Sequence, residues 1–230
     1  KRRSWAVLVP EVVFWLMIAA ALGDGSMTGA VVGFWSTMRA LLPSIPVEPI
    51  SEEAFCTARK KLPVDFFRKV FFWVVARFAD LHEDKYRWKG HSLKGVDGMK
   101  THLPHSGELQ ERFPGPSNQH GGRGRPQGLI VGLVGLFTGV CHSFLLLSQK
   151  GSEPRAGSVL ARFLKARDLL LADANFTGVW MLLSVLRSQA DFLMRVASNR
   201  YTKYERRPTP SGRSDEYYID LPIPAPVRAL

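Results

Sequence analysis

The stretch LLLADANF, residues 169–176, is a short apolar run that stops on an aspartate, Asp173. The earlier stretch LKGVDG, residues 93–98, has the same form and stops on Asp97. A buried strand at each place would deliver one carboxylate to its end, and sheet pairing would bring the two carboxylates together. Paired carboxylates of this kind predict a site for a divalent metal ion, because Mg²⁺ prefers hard oxygen ligands.

The chain around these two stretches reads as alternating strands and helices. Apolar runs predict five strands, at 92–99, 128–138, 140–148, 169–172 and 191–197. A helix is predicted to start at Ser152 and another to cover 177–189, whereas the Pro- and Gly-rich residues 104–128 predict a long loop. This order predicts a layered α/β sheet. It is also the order of the ribonuclease-H-like fold, with Asp97 and Asp173 on the first and fourth strands.

The first 85 residues predict a small all-helical domain, which we interpret as a DNA-binding domain. Helical spacing of apolar side chains covers 26–42 and the segment that Pro63 opens, and Ser51 before two glutamates is typical of a helix N-cap. Residues 86–200 then form the predicted core, and 201–230 the start of a strand-rich insertion or a linker. The apolar run 5–22 follows three basic residues, as in a membrane anchor, but an internal proline and glutamate favour a buried helix.

The charge of the chain favours a polyanionic partner. Lys and Arg number 31 against 20 acidic residues, which gives a formal net charge of +11 and an isoelectric point close to 10.0. Nucleic acid and an anionic membrane surface both fit this charge. The two cysteines, Cys56 and Cys141, form no C-x-x-C pair, so the sequence predicts neither a disulfide framework nor a zinc knuckle.

Two groups of basic residues are candidates for contact with a DNA backbone. Arg123 and Arg125 lie in the flexible loop GGRGR, residues 121–125, for which a plain linker is an equal alternative. Arg195, Arg200 and Lys203 follow the last predicted core strand. Phosphate contacts from such residues would position DNA without reading its sequence.

Four motifs, in this order along the chain, resemble the insertion-element-four group of DDE insertion-sequence transposases. They are AFCTARKKLP at 54–63, VDGMKTHLP at 96–104, LLADANF at 170–176 and ADFLMRV at 190–196. Each motif alone is weak, but the ordered set is fairly specific, and the resemblance covers nearly the whole chain.

The resemblance implies DNA transposition by two-metal phosphoryl transfer. Asp97 would bridge two Mg²⁺ or Mn²⁺ ions and Asp173 would hold one of them. The implied partner is double-stranded DNA, both transposon ends and target, bound by a homodimer in a synaptic complex. The implied location is the bacterial cytoplasm, near the nucleoid, without stable membrane association.

The sequence departs from the family pattern at three points. His105 stands where the family has an acidic residue, and Ala174 where it has arginine. The third carboxylate, expected on a helix with spaced Tyr, Arg, Glu and Lys, has no match, since Glu205 lies too close to Asp173. We therefore expect a C-terminally truncated fragment with that glutamate beyond residue 230. The alternatives are a catalytically inactive DNA-binding remnant and a membrane-associated basic protein.

Overall fold

The computed structural model describes residues 8–23, 27–41, 50–82, 85–117, 124–197, 200–213 and 216–221. The chain divides into two compact units, Lys1–Trp73 and Val74–Leu230. The domain boundaries that the sequence suggests, after residues 85 and 200, remain predictions.

Unit 1 is helical, as its periodicity predicts. Its helices are α1 (Pro10–Leu22), α2 (Met27–Leu41), α3 (Glu52–Arg59) and the first part of α4 (Val64–His82). Buried apolar side chains from the first three helices form its core: Val13, Leu16, Val31, Trp35 and Phe55. The Ser51 hydroxyl accepts a hydrogen bond from the Ala54 N–H at 3.1 Å and caps α3.

Helix α1 begins at Pro10, where the missing N–H and fixed φ of proline suit the first turn. Val13, Leu16 and Ala20 are buried, which confirms a core helix over this part of the predicted run. In the described part of the chain, no single helix is long and apolar enough to cross a membrane. Taken together, α1 and α2 are long and apolar enough to span a membrane, but the two helices meet at a bend of 118°.

Unit 2 contains a mixed sheet. Its strands are β1 (Arg87–Trp88), β2 (His91–His102), β3 (Gln127–Gly135), β4 (Cys141–Ser148), β5 (Asp168–Ala172) and β6 (Asp191–Met194). The spatial order is β4-β3-β2-β5-β6, and the short β1 pairs with β2. Strands β2, β3 and β4 are antiparallel neighbours, whereas β5 runs parallel to β2 and β6 parallel to β5.

Helices α6 (Glu153–Leu160) and α7 (Val179–Arg187) pack on one face of this sheet. Buried side chains of both layers meet there, among them Val96, Leu133, Leu160, Leu170 and Val185. Three antiparallel strands followed by two parallel strands, with the first long strand in the centre, is the order expected of a ribonuclease-H-like sheet. The predicted α/β fold class is therefore confirmed.

Three local predictions need correction. The predicted loop 104–128 contains a short helix, α5 (Gly107–Arg112), which Ser106 caps by accepting the Leu109 N–H at 3.2 Å. Strand β6 ends at Met194 rather than at residue 197, since its parallel partner β5 ends at Ala172. Strand β2 continues past its predicted end at residue 99 as far as His102, because β3 pairs with it there. A separate two-stranded sheet follows the core, β7 (Arg206–Pro208) with β8 (Tyr217–Ile219).

Candidate active site

Asp97 lies on β2, in the centre of the sheet, and its side chain is exposed. Its Oδ1 accepts the Gly98 N–H at 2.7 Å. On β3 the residue opposite Asp97 is Gly132, which has no side chain that would crowd the carboxylate. Asp97 is thus fixed by backbone pairing while its carboxylate stays accessible.

Asp173 is the first residue after β5, and its side chain is also exposed. Its Oδ1 accepts the Asn175 N–H at 2.9 Å and caps a 3₁₀ turn over Ala174–Phe176. Phe176, at the end of this turn, is buried in the core. The buried phenyl ring therefore anchors the turn that orients the Asp173 carboxylate.

The register of β2 and β5 places the two aspartates side by side. These strands are parallel and pair Gly95 with Leu171. Two residues further along both strands, Asp97 is level with Asp173. Both aspartates line one cavity of about 860 Å³. The structure thus brings together the two residues that the sequence singles out, with Asp97 inside its strand and Asp173 just beyond the end of its own.

Glu153, which the sequence does not identify as a site residue, lies between strand β2 and the turn over Ala174–Phe176. Glu153, in the first turn of α6, accepts a hydrogen bond on Oε2 from Asn175 Nδ2 at 2.8 Å. Its Oε1 lies so close to β2 that a Cβ added at Gly98 would stand 2.7 Å from it. Glu153 therefore touches the segment that carries Asp97 and, through Asn175, supports the turn that holds Asp173.

This contact predicts a difference between two glycine substitutions. Gly98→Ala should displace Glu153, release Asn175 and lower the Mn²⁺ affinity of the site by roughly tenfold or more, as loss of outer-sphere support commonly does. Gly107→Ala, in α5, is the control, because a Cβ there meets nothing within 4 Å. Mn²⁺ binding followed by electron paramagnetic resonance tests this. Equal affinities of the two variants would contradict the support role of Glu153.

The rest of the cavity is mostly apolar and includes the exposed side chains of Met99, Phe144 and Leu193. Cys141 also lines it. Burial raises the pKa of the Cys141 thiol, so the thiol stays protonated near neutral pH and is a poor nucleophile or metal ligand. The chemistry available in this cavity is therefore that of the two carboxylates.

The donor set fits a hard divalent cation. Each aspartate uses Oδ1 to accept a backbone N–H, and Oδ2 accepts no hydrogen bond from the described residues. One or two carboxylates, completed by water and substrate phosphate, is a common arrangement for protein-bound Mg²⁺. Within the described ranges, no group of three or more His, Cys, Asp or Glu side chains is placed to hold a metal ion.

The predicted DNA-contacting residues are spread over two regions. The backbone N–H of Arg195 donates to the Ala172 carbonyl at 3.3 Å, one residue before Asp173, so Arg195 lies beside the cavity. Arg200 reaches the start of α7, and Lys203 lies over the Tyr204 ring at 5.3 Å. Arg125 is exposed in the loop before β3, and Arg123 falls outside the described residues.

Comparison with known proteins identifies no family for this chain. No family model and no curated protein sequence matches it. Two similar solved structures are transposases. The first is piggyBac transposase in a synaptic complex with hairpin DNA, at 15% identity and TM-score 0.38 over 82% of this chain and 41% of that chain. The second is Mos1 transposase in a paired-end complex with the left transposon end, at 12% identity and TM-score 0.32, over 79% and 71%.

This chain thus spans less than half of the piggyBac chain. Because both TM-scores lie below 0.5, the ribonuclease-H-like assignment of unit 2 depends on its own strand order.

Proposed function

We propose that this chain carries the catalytic core of a DDE-type DNA transposase, which cuts and joins double-stranded DNA by metal-dependent phosphoryl transfer. The supporting observation is the register of β2 and β5, which sets Asp97 level with Asp173 at one cavity. Two such carboxylates on adjacent parallel strands of a ribonuclease-H-like sheet suit two-metal chemistry on phosphodiesters.

In this proposal Asp97 and Asp173 would hold the metal ions, Mg²⁺ or Mn²⁺. When bound, the ions would activate a water or a 3′-hydroxyl and stabilise the leaving oxygen. The hydrogen bonds to Oδ1 fix the direction of both carboxylates before any ligand arrives. Such fixed geometry is what this reaction needs, because most of its catalysis comes from positioning and electrostatic stabilisation.

The direct test is nicking of supercoiled duplex DNA. Because the sequence has no match for the third carboxylate, the proposal expects nicked circles to form only slowly with Mg²⁺ or Mn²⁺, and not at all with EDTA. Single-turnover conditions suit the assay, since product release from such complexes is commonly slow. Nicking that continues in EDTA would contradict a metal-dependent reaction.

DNA binding itself should depend strongly on salt. The formal net charge of +11 predicts binding chiefly through phosphate, with log affinity falling against log salt concentration by roughly 0.9 per phosphate contact. Fluorescence anisotropy with a labelled duplex at several salt concentrations measures this slope. Binding that is absent at low salt, or that does not respond to salt, would contradict a phosphate-contacting protein.

The outcomes of these two tests separate the proposed enzyme from a DNA-binding remnant of the same fold. A remnant would bind duplex DNA with the expected salt slope but would neither bind Mn²⁺ at Asp97 and Asp173 nor nick DNA. The homodimer, the synaptic complex and the bacterial nucleoid location belong to the same proposal. Sedimentation of the chain with and without transposon-end DNA would measure the dimer.

A further inference from the structure

The amino ends of the three parallel strands β2, β5 and β6 carry a concentration of positive charge. Exposed basic side chains lie in the three segments that lead into these strands. We call this set the basic edge: Arg87, Lys89, Arg162, Lys165, Arg167 and Arg187.

Hydrogen bonds hold these segments next to one another. The Ser92 N–H, at the start of β2, donates to the Arg167 carbonyl at 3.0 Å. The Ser188 hydroxyl, at the end of α7, donates to the Ala161 carbonyl at 2.8 Å. Arg187 and Arg162, their chain neighbours, are therefore brought close, and the six cations form one surface rather than three separate ones.

Among the described residues at this edge, two carboxylates lie at the starts of β5 and β6, Asp168 and Asp191. Asp168 is buried, and its Oδ1 lies 4.0 Å from the buried ammonium of Lys94. Asp191 is exposed and lies 3.6 Å from His91 Nδ1. Among the described residues, the exposed side chains at this edge are therefore mainly basic.

The backbone at this edge is unusual in the same place. In the described part of the chain, three non-glycine residues have positive φ: Lys89 (49°), Arg167 (70°) and Gln189 (56°). Each lies one or two residues before β2, β5 or β6. Lys89 lies in the two-residue turn between β1 and β2, and Gln189 follows the C-terminal end of α7, where positive φ is common, so Arg167 is the unusual one. Two of the three residues are members of the basic edge.

The basic edge is far from the aspartates. Arg167 and Asp173 stand at opposite ends of β5, and six residue steps at about 3.3 Å each separate them by roughly 20 Å. A phosphate group at the aspartate cavity is therefore out of reach of the basic-edge side chains, so these side chains face a different stretch of polyanion.

We propose that the basic edge is a second DNA-binding surface, which holds the phosphate backbone of a duplex segment that is not the segment at the aspartates. The choice of DNA as the polyanion rests on the proposed function. Contacts of this kind are independent of base sequence. The surface would hold flanking or target DNA while the cavity acts on the transposon end.

The test neutralises half of the basic edge in the full chain. The variant Lys165→Gln, Arg167→Asn, Arg187→Gln removes three charges, and asparagine tolerates the positive φ at position 167. The matched control, Arg112→Gln, Lys150→Gln, Arg213→Gln, removes three charges from exposed residues elsewhere in unit 2. A second, disjoint variant, Lys89→Asn with Arg162→Gln, guards against a folding defect in the first. Circular dichroism melting compares the stability of all three.

Duplex binding is measured by anisotropy in EDTA at 50 and 200 mM salt, so that no cleavage interferes. Three lost phosphate contacts should reduce the ratio of the two dissociation constants by about 40-fold, and two lost contacts by about 12-fold. The control should leave the ratio nearly unchanged. Equal losses in the control and the first variant would overturn the proposal, because net charge alone would then explain the binding.

A second arm identifies the polyanion. Binding to vesicles with anionic lipid, measured for the same variants, should change no more in the basic-edge variants than in the control. Loss of vesicle binding with unchanged duplex binding would overturn the DNA assignment in favour of a membrane. Nicking that depends on Asp97, together with duplex binding by the basic-edge variants equal to wild type, would sink this inference and leave the proposed function standing.

Discussion

Asp97→Asn and Asp173→Asn should each abolish metal-dependent nicking, with a loss of several orders of magnitude in rate. Each substitution keeps the shape of the side chain and an oxygen that accepts the backbone N–H, so the fold and the local hydrogen bonds should survive. It removes one negative charge from the pair that would hold the metal ions. Because phosphoryl transfer depends mainly on positioned charge, the rate should fall far more than DNA binding does.

Metal affinity provides a readout that does not require turnover. We expect both variants to bind Mn²⁺ more weakly by about 100-fold, at or above the upper end of the losses seen for outer-sphere residues. Asp191→Asn is the control, because Asp191 is an exposed carboxylate at the opposite end of the parallel strands. If all three variants bind Mn²⁺ equally, the proposed site is in the wrong place.

The double variant Asp97→Asn, Asp173→Asn should be about as slow as either single variant. Residues that act as a unit give strongly non-additive losses, since the first substitution already disables the constellation. Independent losses that multiply in the double variant would indicate two separate roles rather than one metal site.

The sequence predicts the strands of unit 2 well because their signal is local. Strand β5 is a run of leucines between β2 and β6, in which Leu170 is buried and Leu169 and Leu171 are half-buried, and a parallel strand inside a sheet needs little more than such an apolar run. Where the run stops, the carboxylate that follows is placed at the end of the strand. That reasoning locates Asp173 correctly. It misplaces the end of β2, because pairing with β3 extends that strand to His102.

The contact between Glu153 and Asn175 could not be predicted in the same way. It joins residues 22 positions apart, and it depends on the side of the sheet on which α6 packs. The acidic first turn of α6 is an ordinary helix-dipole feature in the sequence. Only the packing of α6 against β2 shows that this turn lies over Gly98.

Lys94 is a second residue whose environment the sequence conceals. A lysine within an apolar run normally indicates a solvated face, but only about 5% of this side chain is exposed. Its ammonium lies 4.0 Å from Asp168 Oδ1 and 2.9 Å from His142 Nε2. An ammonium group only donates, so His142 Nε2 must accept this hydrogen bond. Lys94, His142 and Asp168 lie 26, 48 and 74 positions apart in the sequence, and the sheet brings them together.

Lys94→Met should therefore destabilise unit 2 by about 3–5 kcal/mol, the cost of removing one partner of a buried ion pair. Methionine fills much of the volume of the lysine stem, so the loss reports mainly on charge. Equilibrium unfolding in urea, followed by far-ultraviolet circular dichroism, measures the free energy of unfolding. A change below about 0.5 kcal/mol, typical of an exposed site, would contradict the burial of this pair.

Adding Asp168→Asn to Lys94→Met should recover a large part of that loss. Asparagine keeps an oxygen that accepts the Lys165 N–H, now bonded to Asp168 Oδ2 at 2.8 Å, but it carries no charge. Since the cost of the single variant comes from a buried carboxylate deprived of its ammonium, removing the carboxylate charge should remove most of the cost. If the double variant is less stable than Lys94→Met alone, packing rather than charge pairing is what Lys94 contributes to the core.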